Sequence, residues 1–212
     1  MAERGIFITF EGIDGSGKTT QLRLLAKRLR DAGREVLEAV EPGGTEIGRQ
    51  IRAILLDGRN TQLTPRAELL LYFASRAQNV EEVIRPALAA GKIVLCDRFT
   101  DSTLVYQGCG RGLGPDVVLA LDRIACQGLQ PDLTVLVDID LDESLKRARR
   151  RNVRSASAET RLDDESREFH GRVRDGYLAL AAREARRFIV IDGAASVDEV
   201  GGRVWREVAK RV

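Results

Sequence analysis

One nine-residue segment near the amino terminus constrains the fold of this chain more than any other feature. Residues Gly12–Thr20 read G-I-D-G-S-G-K-T-T and match the pattern G-x-x-x-x-G-K-[S/T]. An apolar run, Ile6–Phe10, precedes the segment, and a helical pattern with Leu22, Leu25 and Leu29 on one face follows it. A glycine-rich turn between a strand and a helix presents backbone N–H groups and the positive end of the helix to an anion. The segment therefore predicts a phosphate-binding loop in an α/β fold.

Four further apolar runs of strand length follow along the chain. They are Glu35–Val40, Lys92–Cys96, Leu133–Val137 and Phe188–Ile191, and segments long enough for helices separate them. Apolar strands that alternate with helices indicate a parallel sheet buried on both faces. We therefore predict an α/β fold of the P-loop NTPase-like kind, with a five-stranded parallel sheet, helices on both faces and ligands at the carboxyl ends of the strands.

Two helical stretches have marked ends in the sequence. The first helix is predicted to end at Gly33, because glycine suits the left-handed position after a helix. A longer stretch begins at Thr64-Pro65, a capping residue followed by proline, and ends near Gly91. Pro86 lies inside this stretch and predicts a kink or a split into two helices.

Size and charge narrow the classes of partner. At 212 residues the chain is expected to form one domain over residues 1–212, and a net charge of +2 is too small for a nucleic-acid-binding surface. The first apolar run stops at Glu11 and is too short for a signal peptide or a membrane span, so we expect a cytoplasmic protein with no membrane partner. Three cysteines without a C-x-x-C pair argue against a disulfide framework or a zinc site, and Cys96 and Cys126 are predicted core residues.

The phosphate loop and the residues after the third strand carry the chemistry of a nucleotide site. Lys18 is predicted to reach the β- and γ-phosphates of ATP, and Thr19 to bind Mg²⁺. Asp97 can hold Mg²⁺ through water, and Arg98 beside it can grip a second anionic group. The plainer alternatives are a glycine-rich turn with an exposed lysine and a surface ion pair. All residues of the loop are predicted to bind ATP, namely Gly12, Ile13, Asp14, Gly15, Ser16, Gly17, Lys18, Thr19 and Thr20.

A phosphate loop alone does not separate GTPases, ATP-driven motors and small-molecule kinases. The chain lacks the N-K-x-D segment of GTPases. A wider set of motifs, in order and at the expected spacings over nearly the whole chain, resembles the bacterial thymidylate kinases. The matching segments are Phe10-Glu11-Gly12, Glu41–Thr45, Ser75–Gln78, Asp97–Phe99, Ser102-Thr103, Tyr106–Gly108, and Arg161–Asp163 leading into a helix through Phe169 and Tyr177.

The resemblance implies a base-binding site on the long helix. Arg76 is similar to the family arginine that hydrogen-bonds thymine, and Tyr72 stands where the family stacks the base, more often with phenylalanine. An aromatic ring and a guanidinium at positions i and i+4 share one side of a helix, which agrees with this assignment. The alternative is a core-edge tyrosine and a solvated arginine.

The resemblance also implies a wall for the acceptor nucleotide. Thr103 and Tyr106 are similar to residues that contact the base and crowd the sugar 2′ position, and Gln107 is expected on the same wall. Asp14 matches a carboxylate near the acceptor's sugar and phosphate, for which a helix N-terminal acid is the alternative. The substrate-binding set is Asp14, Tyr72, Arg76, Arg98, Ser102, Thr103, Tyr106 and Gln107.

A charged segment, about 149–164, is expected to form a mobile lid. The phosphate loop contains no arginine, whereas this region is rich in them, which resembles the family members that supply catalytic arginine from the lid. Arg151 and Arg161 are predicted to be catalytic together with Lys18 and Arg98. A solvated helix face or a nucleic-acid patch is the alternative. The arginines in question are Arg147, Arg149, Arg150, Arg151, Arg154 and Arg161.

The resemblance implies a homodimeric kinase that moves the γ-phosphoryl group of ATP, with Mg²⁺, onto dTMP. Because the acceptor phosphate has a second pKa near 6, no general base is required, and His170 is predicted to lie on a helix surface. Two other functions stay open. A deoxynucleoside kinase would use a carboxylate base such as Glu41, and a nucleotide-dependent switch would hydrolyse ATP without an acceptor.

Overall fold

A five-stranded parallel sheet organises the computed structural model, which describes residues 4–155 and 159–212. The order across the sheet is β2-β3-β1-β4-β5, so β1 lies at its centre and pairs in parallel with β3 and β4. Each strand lies within one residue of the apolar run that predicted it, and the predicted α/β fold is confirmed. The strands are β1 (Phe7–Glu11), β2 (Val36–Val40), β3 (Ile93–Asp97), β4 (Leu133–Asp138) and β5 (Phe188–Asp192).

Helices cover both faces of the sheet. Two π-helical segments, Val80–Ile84 and Leu104–Gly110, extend the third and fifth helices in the chain. The α-helices in the described ranges are α1 (Lys18–Asp31), α2 (Glu46–Leu56), α3 (Pro65–Asn79), α4 (Arg85–Ala89), α5 (Thr100–Thr103), α6 (Pro115–Cys126), α7 (Leu141–Ser155), α8 (Arg167–Arg183) and α9 (Val197–Val208).

The strands bury apolar side chains on both sides because each face of the sheet has its own hydrophobic core. In β1, Ile8 and Phe10 belong to the core formed with α1 and α9, and Phe7 belongs to the core formed with α3, α6 and α8. Side chains two residues apart on a strand share a face, which accounts for this division. Cys96 and Cys126 are buried, as predicted for core residues, and Cys109 is exposed.

Proline and glycine mark the helix ends as expected. Thr64 caps α3 by accepting a hydrogen bond from the backbone N–H of Ala67. The long helical stretch divides at the π-helical segment just before Pro86, because proline has no N–H to continue the helical ladder. Gly33 follows α1 with φ +78°, in the left-handed region.

Two expectations about the second half of the chain require correction. The segment about 149–164, expected to form a mobile lid, is helical at its start, because Arg149–Ser155 complete α7, whose Ser144 and Ala148 are buried. His170 is not on a surface: it is 1% exposed, because α8 packs against the Leu104–Gly110 segment and the ring of Phe169 lies 5.5 Å away. Part of the predicted turn, residues 156–158, and the side chain of Arg154 lie outside the described part of the chain.

The topology brings the chemically active segments to one edge of the sheet. β1 and β3 are parallel neighbours, with Phe10 opposite Asp97, so the loop after β1 lies beside the residues that follow β3. β2 pairs with the other side of β3, so the segment that begins at Glu41 joins them. None of the helices in the described residues combines the length and apolar character needed to cross a membrane.

Candidate active site

The loop between β1 and α1 turns tightly with the help of glycine. Gly12, Gly15 and Gly17 have φ values of 138°, 84° and 94°, which side chains other than glycine rarely adopt. A Cβ atom at Gly15 would also lie only 2.3 Å from the backbone oxygen of Ser144, so α7 can approach the loop closely. The N-terminus of α1 begins at Lys18, as an anion-binding loop requires.

Lys18 is held inside the site rather than extended into solvent. The residue is 6% exposed, and its Nζ lies 3.6 Å from Oδ1 of Asp14. Burial lowers the pKa of Lys18, and Arg98 lowers it further, whereas Asp14 acts in the opposite direction. Burial is the main reason that the ionised form of Lys18 is disfavoured, and a phosphate beside its Nζ would stabilise that charge.

Thr19 and Asp97 bring two oxygen ligands together at the edge of the pocket. The Thr19 hydroxyl, in the first turn of α1, donates a hydrogen bond to Oδ2 of Asp97 at the end of β3. A hydroxyl and a carboxylate are hard oxygen donors of the kind Mg²⁺ prefers, and Mg²⁺ at such sites usually takes its remaining ligands from water and phosphate. The two residues therefore fit a magnesium ion carried by a nucleotide.

Arg98 lies at the centre of a hydrogen-bonded cluster. Its Nη2 donates to Oδ1 of Asp14 at 2.8 Å and to the Tyr106 hydroxyl at 3.1 Å. The Tyr106 hydroxyl in turn donates to Oδ2 of Asp14 at 2.8 Å. Although burial opposes ionisation, Arg98 and Lys18 hold the pKa of Asp14 well below its usual range. Asp14 is therefore a carboxylate at all pH values at which the enzyme would work.

A second buried arginine, Arg76, faces the pocket from α3. It is 1% exposed, its Nε donates to Oε2 of Glu41 at 2.5 Å, and its Nη2 donates to the Thr103 hydroxyl at 3.0 Å. Asn79 donates to the other oxygen of Glu41 at 3.1 Å. The Nη1 of Arg76 is buried without an acceptor in the described residues. An unsatisfied donor of this kind suits an oxygen atom of a ligand.

A pocket of about 370 Å³ joins these groups. The structure brings most of the predicted site residues into its walls: Asp14, Lys18, Thr19, Tyr72, Arg76, Asp97, Arg98, Ser102, Thr103, Tyr106, Gln107 and Arg151. The remaining loop residues, Gly12, Ile13, Gly15, Ser16, Gly17 and Thr20, are not among the residues that line this pocket, so their assignment to ATP stays a prediction.

The two lid arginines predicted to be catalytic have different surroundings. Arg151 lines the pocket with its side chain 52% exposed, pairs with Asp163 at 2.6 Å, and lowers the pKa of both Asp14 and Lys18. Arg161 does not line the pocket. Its side chain is 8% exposed and its Nη1 lies 2.7 Å from Oε2 of the fully buried Glu68. Its Nη2 is buried without an acceptor in the described residues, but its pairing with Glu68 favours a structural role, and the assignment of Arg161 to the transferring phosphoryl group stays a prediction.

Several residues of the pocket escaped sequence reasoning. Arg52 on α2 lines it and forms two hydrogen bonds with Glu159, at 2.9 and 2.7 Å. Asp163 also lines it and accepts hydrogen bonds from Arg151 and Asn152. Periodicity could not reveal these residues, because each depends on contacts between segments about 100 residues apart or on the fold of the lid. The motif Arg161–Asp163 was the one local signal for Asp163.

Comparison with known proteins gives one consistent family. Residues 10–204 match the family model described as thymidylate kinase. The chain is 53% identical over 205 residues to a thymidylate kinase of Pelobacter propionicus, covering 96% of this chain and 94% of that protein. It is 52% identical over 209 residues to a thymidylate kinase of Geobacter sulfurreducens, covering 98% of both. The crystal structure of thymidylate kinase from Ehrlichia chaffeensis superimposes with a TM-score of 0.78 at 33% identity, covering 97% of this chain and 99% of that one.

Proposed function

This chain belongs to the thymidylate kinase family and transfers the γ-phosphoryl group of ATP to dTMP, and we propose that it does so in the pocket beside β1, β3 and α3. One observation carries this proposal. Three cations that line the pocket, Lys18, Arg98 and Arg151, act together on the carboxylate of Asp14, and the buried arginine Arg76, which also lines the pocket, has an N–H without an acceptor in the described residues. Such a pocket suits a ligand with phosphate at one end and a carbonyl-bearing base at the other.

Arg76 is the residue we assign to the thymine base. Glu41 and Thr103 hold two of its nitrogens, which leaves Nη1 for a carbonyl oxygen of the base. Tyr72 lies one turn earlier on α3, is 8% exposed and lines the pocket, as a stacking residue would. Thr103, Tyr106 and Gln107 are assigned to the wall around the base and the sugar.

Phosphoryl transfer here needs charge neutralisation more than proton transfer. The dTMP phosphate is largely a dianion at neutral pH and is already a nucleophile. Lys18 and Arg151 are assigned to the oxygens of the transferring group, and Arg98 to the acceptor phosphate, which holds the two anions in line. His170 is a buried residue of α8 and takes no part in this scheme.

Mg²⁺ is assigned to Thr19 and Asp97. When bound with ATP, the ion would neutralise charge on the β- and γ-phosphates. The contact between the Thr19 hydroxyl and the Asp97 carboxylate supports this assignment, because both oxygens lie where the end of the phosphate loop meets the end of β3.

The deoxynucleoside kinase alternative is not favoured. It would need Glu41 as a base toward a sugar hydroxyl, but both oxygens of Glu41 already accept hydrogen bonds from Arg76 and Asn79. Its carboxylate therefore supports Arg76, and the family comparison points to a monophosphate acceptor.

Organisation beyond the pocket also belongs to the proposal. We assign residues 1–212 to one domain, supported by a single sheet that organises both cores.

A homodimer through α3 and α6 is supported by apolar side chains that these adjacent helices expose, namely Leu70, Val117 and Ile124. Sedimentation of the protein and of Ile124→Glu tests it, since a monomer in both would contradict it. A cytoplasmic enzyme remains the expectation drawn from sequence.

The experiment that tests the function is ADP production measured with three acceptor conditions. With ATP and Mg²⁺, turnover is expected to depend on dTMP and to be much slower with thymidine or with no acceptor. Faster turnover with thymidine would indicate a deoxynucleoside kinase, and ADP production independent of dTMP would indicate an ATPase switch.

A further inference from the structure

The guanidinium of Arg98 is almost fully occupied by protein groups. Besides the two hydrogen bonds of Nη2 to Asp14 and Tyr106, its Nη1 donates to Oγ of Ser102 at 3.0 Å and to the Tyr177 hydroxyl at 3.1 Å. An arginine has five N–H donors, so Nε–H alone is left without an acceptor in the described part of the chain. One edge of Arg98 must therefore exchange partners before it can grip a phosphate with two N–H groups.

The Nη1 edge rests on a buried carboxyl group, Glu11. Oε1 of Glu11 accepts from the backbone N–H of Phe99 at 2.7 Å. Oε2 accepts from the Ser102 hydroxyl at 2.5 Å and from the Tyr177 hydroxyl at 2.8 Å. Glu11 is fully buried at the end of β1 and does not line the pocket. The same two hydroxyls thus lie between Glu11 and the Nη1 group of Arg98.

Proton counting gives this connection a direction. Above its raised pKa of about 7, Glu11 is a carboxylate that only accepts hydrogen bonds, and each hydroxyl has a single proton to donate. A guanidinium can only donate, so both hydroxyls accept from Nη1 and keep their protons for Glu11 or, in the case of one of them, for the other hydroxyl 2.7 Å away. Glu11 therefore fixes both hydroxyls in the orientation that binds the guanidinium. The arrangement matters because Arg98 has φ 71°, an uncommon conformation for a residue other than glycine, which its surroundings must maintain.

The Nη2 edge has the opposite character. Asp14 and Tyr106 both line the pocket, and Asp14 carries a negative charge that an arriving phosphate dianion would repel. Hydroxyls oriented by Glu11 therefore hold the Nη1 edge of Arg98, whereas groups that a phosphate can replace hold the Nη2 edge.

We propose that Glu11 is a positioning residue for Arg98, acting through the hydroxyls of Ser102 and Tyr177, while Asp14 and Tyr106 yield the other edge of the guanidinium to the acceptor phosphate. The inference rests on the proposed function, in which Arg98 binds that phosphate. Tyr177 belongs to α8, the helix that follows the lid, so residues from both halves of the chain set the position of this arginine.

Tyr177→Phe tests the proposal most cleanly, because it removes the hydroxyl and keeps the ring in its packing. Loss of one positioning hydrogen bond should raise the KM for dTMP by about 5- to 10-fold, the range of an ordinary hydrogen bond. The KM for ATP should stay within about twofold, since Arg98 serves the acceptor. Isothermal titration should show weaker binding of dTMP but unchanged binding of thymidine, which has no phosphate. Glu11→Gln is expected to change the same quantities in the same direction.

Thr100→Val is the matched control. It removes a buried hydroxyl from α5, the short helix that carries Ser102, but that hydroxyl faces Asp122 and not Arg98. The control should leave dTMP and thymidine binding unchanged. A Tyr177→Phe enzyme that loses affinity for thymidine as much as for dTMP, or that keeps the normal KM for dTMP, would overturn the proposal.

Measurements in an Arg98→Gln variant distinguish a failure of this inference from a failure of the assignment of Arg98 to the acceptor phosphate. In that background, Tyr177→Phe should have no further effect on the KM for dTMP, because its effect passes through Arg98. An undiminished effect in the double variant would show that Tyr177 acts elsewhere and would refute the inference. If Arg98→Gln itself leaves dTMP binding unchanged, the assignment of Arg98 to the acceptor phosphate fails first. Should Glu11→Gln not fold, the Tyr177→Phe comparisons decide the matter alone.

Discussion

The two lid arginines should differ in what their replacement by alanine changes: Arg151→Ala should lower kcat, and Arg161→Ala should lower thermal stability. Arg151 is half exposed, and its partner is Asp163 at the pocket wall, so the loss of this pair should cost about 0 to 1 kcal/mol of stability. Its position near Lys18 and Asp14 suits charge neutralisation in the transition state. Arg151→Ala should therefore lower kcat by roughly 10- to 10³-fold, with little effect on the KM for dTMP.

Arg161→Ala should instead destabilise the fold. Removing one partner of a buried ion pair typically costs about 3 to 5 kcal/mol, and because Glu68 keeps Arg111 and Gln107, we expect the lower value. In a chain of this size, about 3 kcal/mol corresponds to a fall in Tm of roughly 6 to 12 °C. Measured well below that Tm, its kcat should remain within about threefold of the wild-type value.

Thermal unfolding and a coupled assay of ADP production, run on both variants, check this pair of outcomes. Arg167→Ala serves as the control, because Arg167 pairs with Asp142 on the exposed surface and should change neither quantity. The reasoning is refuted if Arg161→Ala keeps its Tm and loses kcat, or if Arg151→Ala loses Tm and keeps kcat. Either result would mean that the burial and ion pairing of these two arginines do not indicate their roles.

Lys18→Ala should abolish phosphoryl transfer while thermal unfolding stays nearly unchanged, because this lysine lies among other cations; retention of more than about a tenth of kcat would contradict its role. Among acceptors, dTMP should be preferred to dCMP and dGMP in kcat/KM, and loss of the thymine methyl in dUMP should cost about 1 to 3 kcal/mol. Asp97→Asn should raise the Mg²⁺ concentration needed for half-maximal rate, and an unchanged magnesium titration would remove Asp97 from the metal site. Burial, reinforced by Asp101, raises the pKa of Glu11 from 4.5 to about 7. Because the unfolded chain releases this proton at lower pH, Glu11 makes the folded state less stable as pH rises from about 4.5 to 7. Urea unfolding should show that Glu11→Gln flattens this decline, and parallel pH curves for the two proteins would contradict it.

The sequence determined the sheet and the phosphate loop because both depend on local pattern. Five apolar runs at helix-length intervals admit few arrangements other than a parallel sheet, and the loop pattern fixes glycine at positions whose φ is positive. The one-turn spacing of Tyr72 and Arg76 likewise predicted that both lie on one side of a helix, and their assignment to the base stays a prediction. These features were predictable from neighbours in sequence, and the fold and the family were predicted correctly from them.

The tertiary structure decided what distant segments do to one another. Burial of His170 could not be predicted from its polar neighbourhood, because it results from the packing of α8 on the Leu104–Gly110 segment. The difference between Arg151 and Arg161 is invisible in a basic run and arises because one faces the pocket and the other meets a carboxylate contributed by α3. Spacing along the chain and the family resemblance together named most of the residues that line the pocket, although not Arg52. Which of them bind ligand and which hold another side chain in place depended on contacts that the folded chain alone creates, such as the two hydroxyls between Glu11 and Arg98.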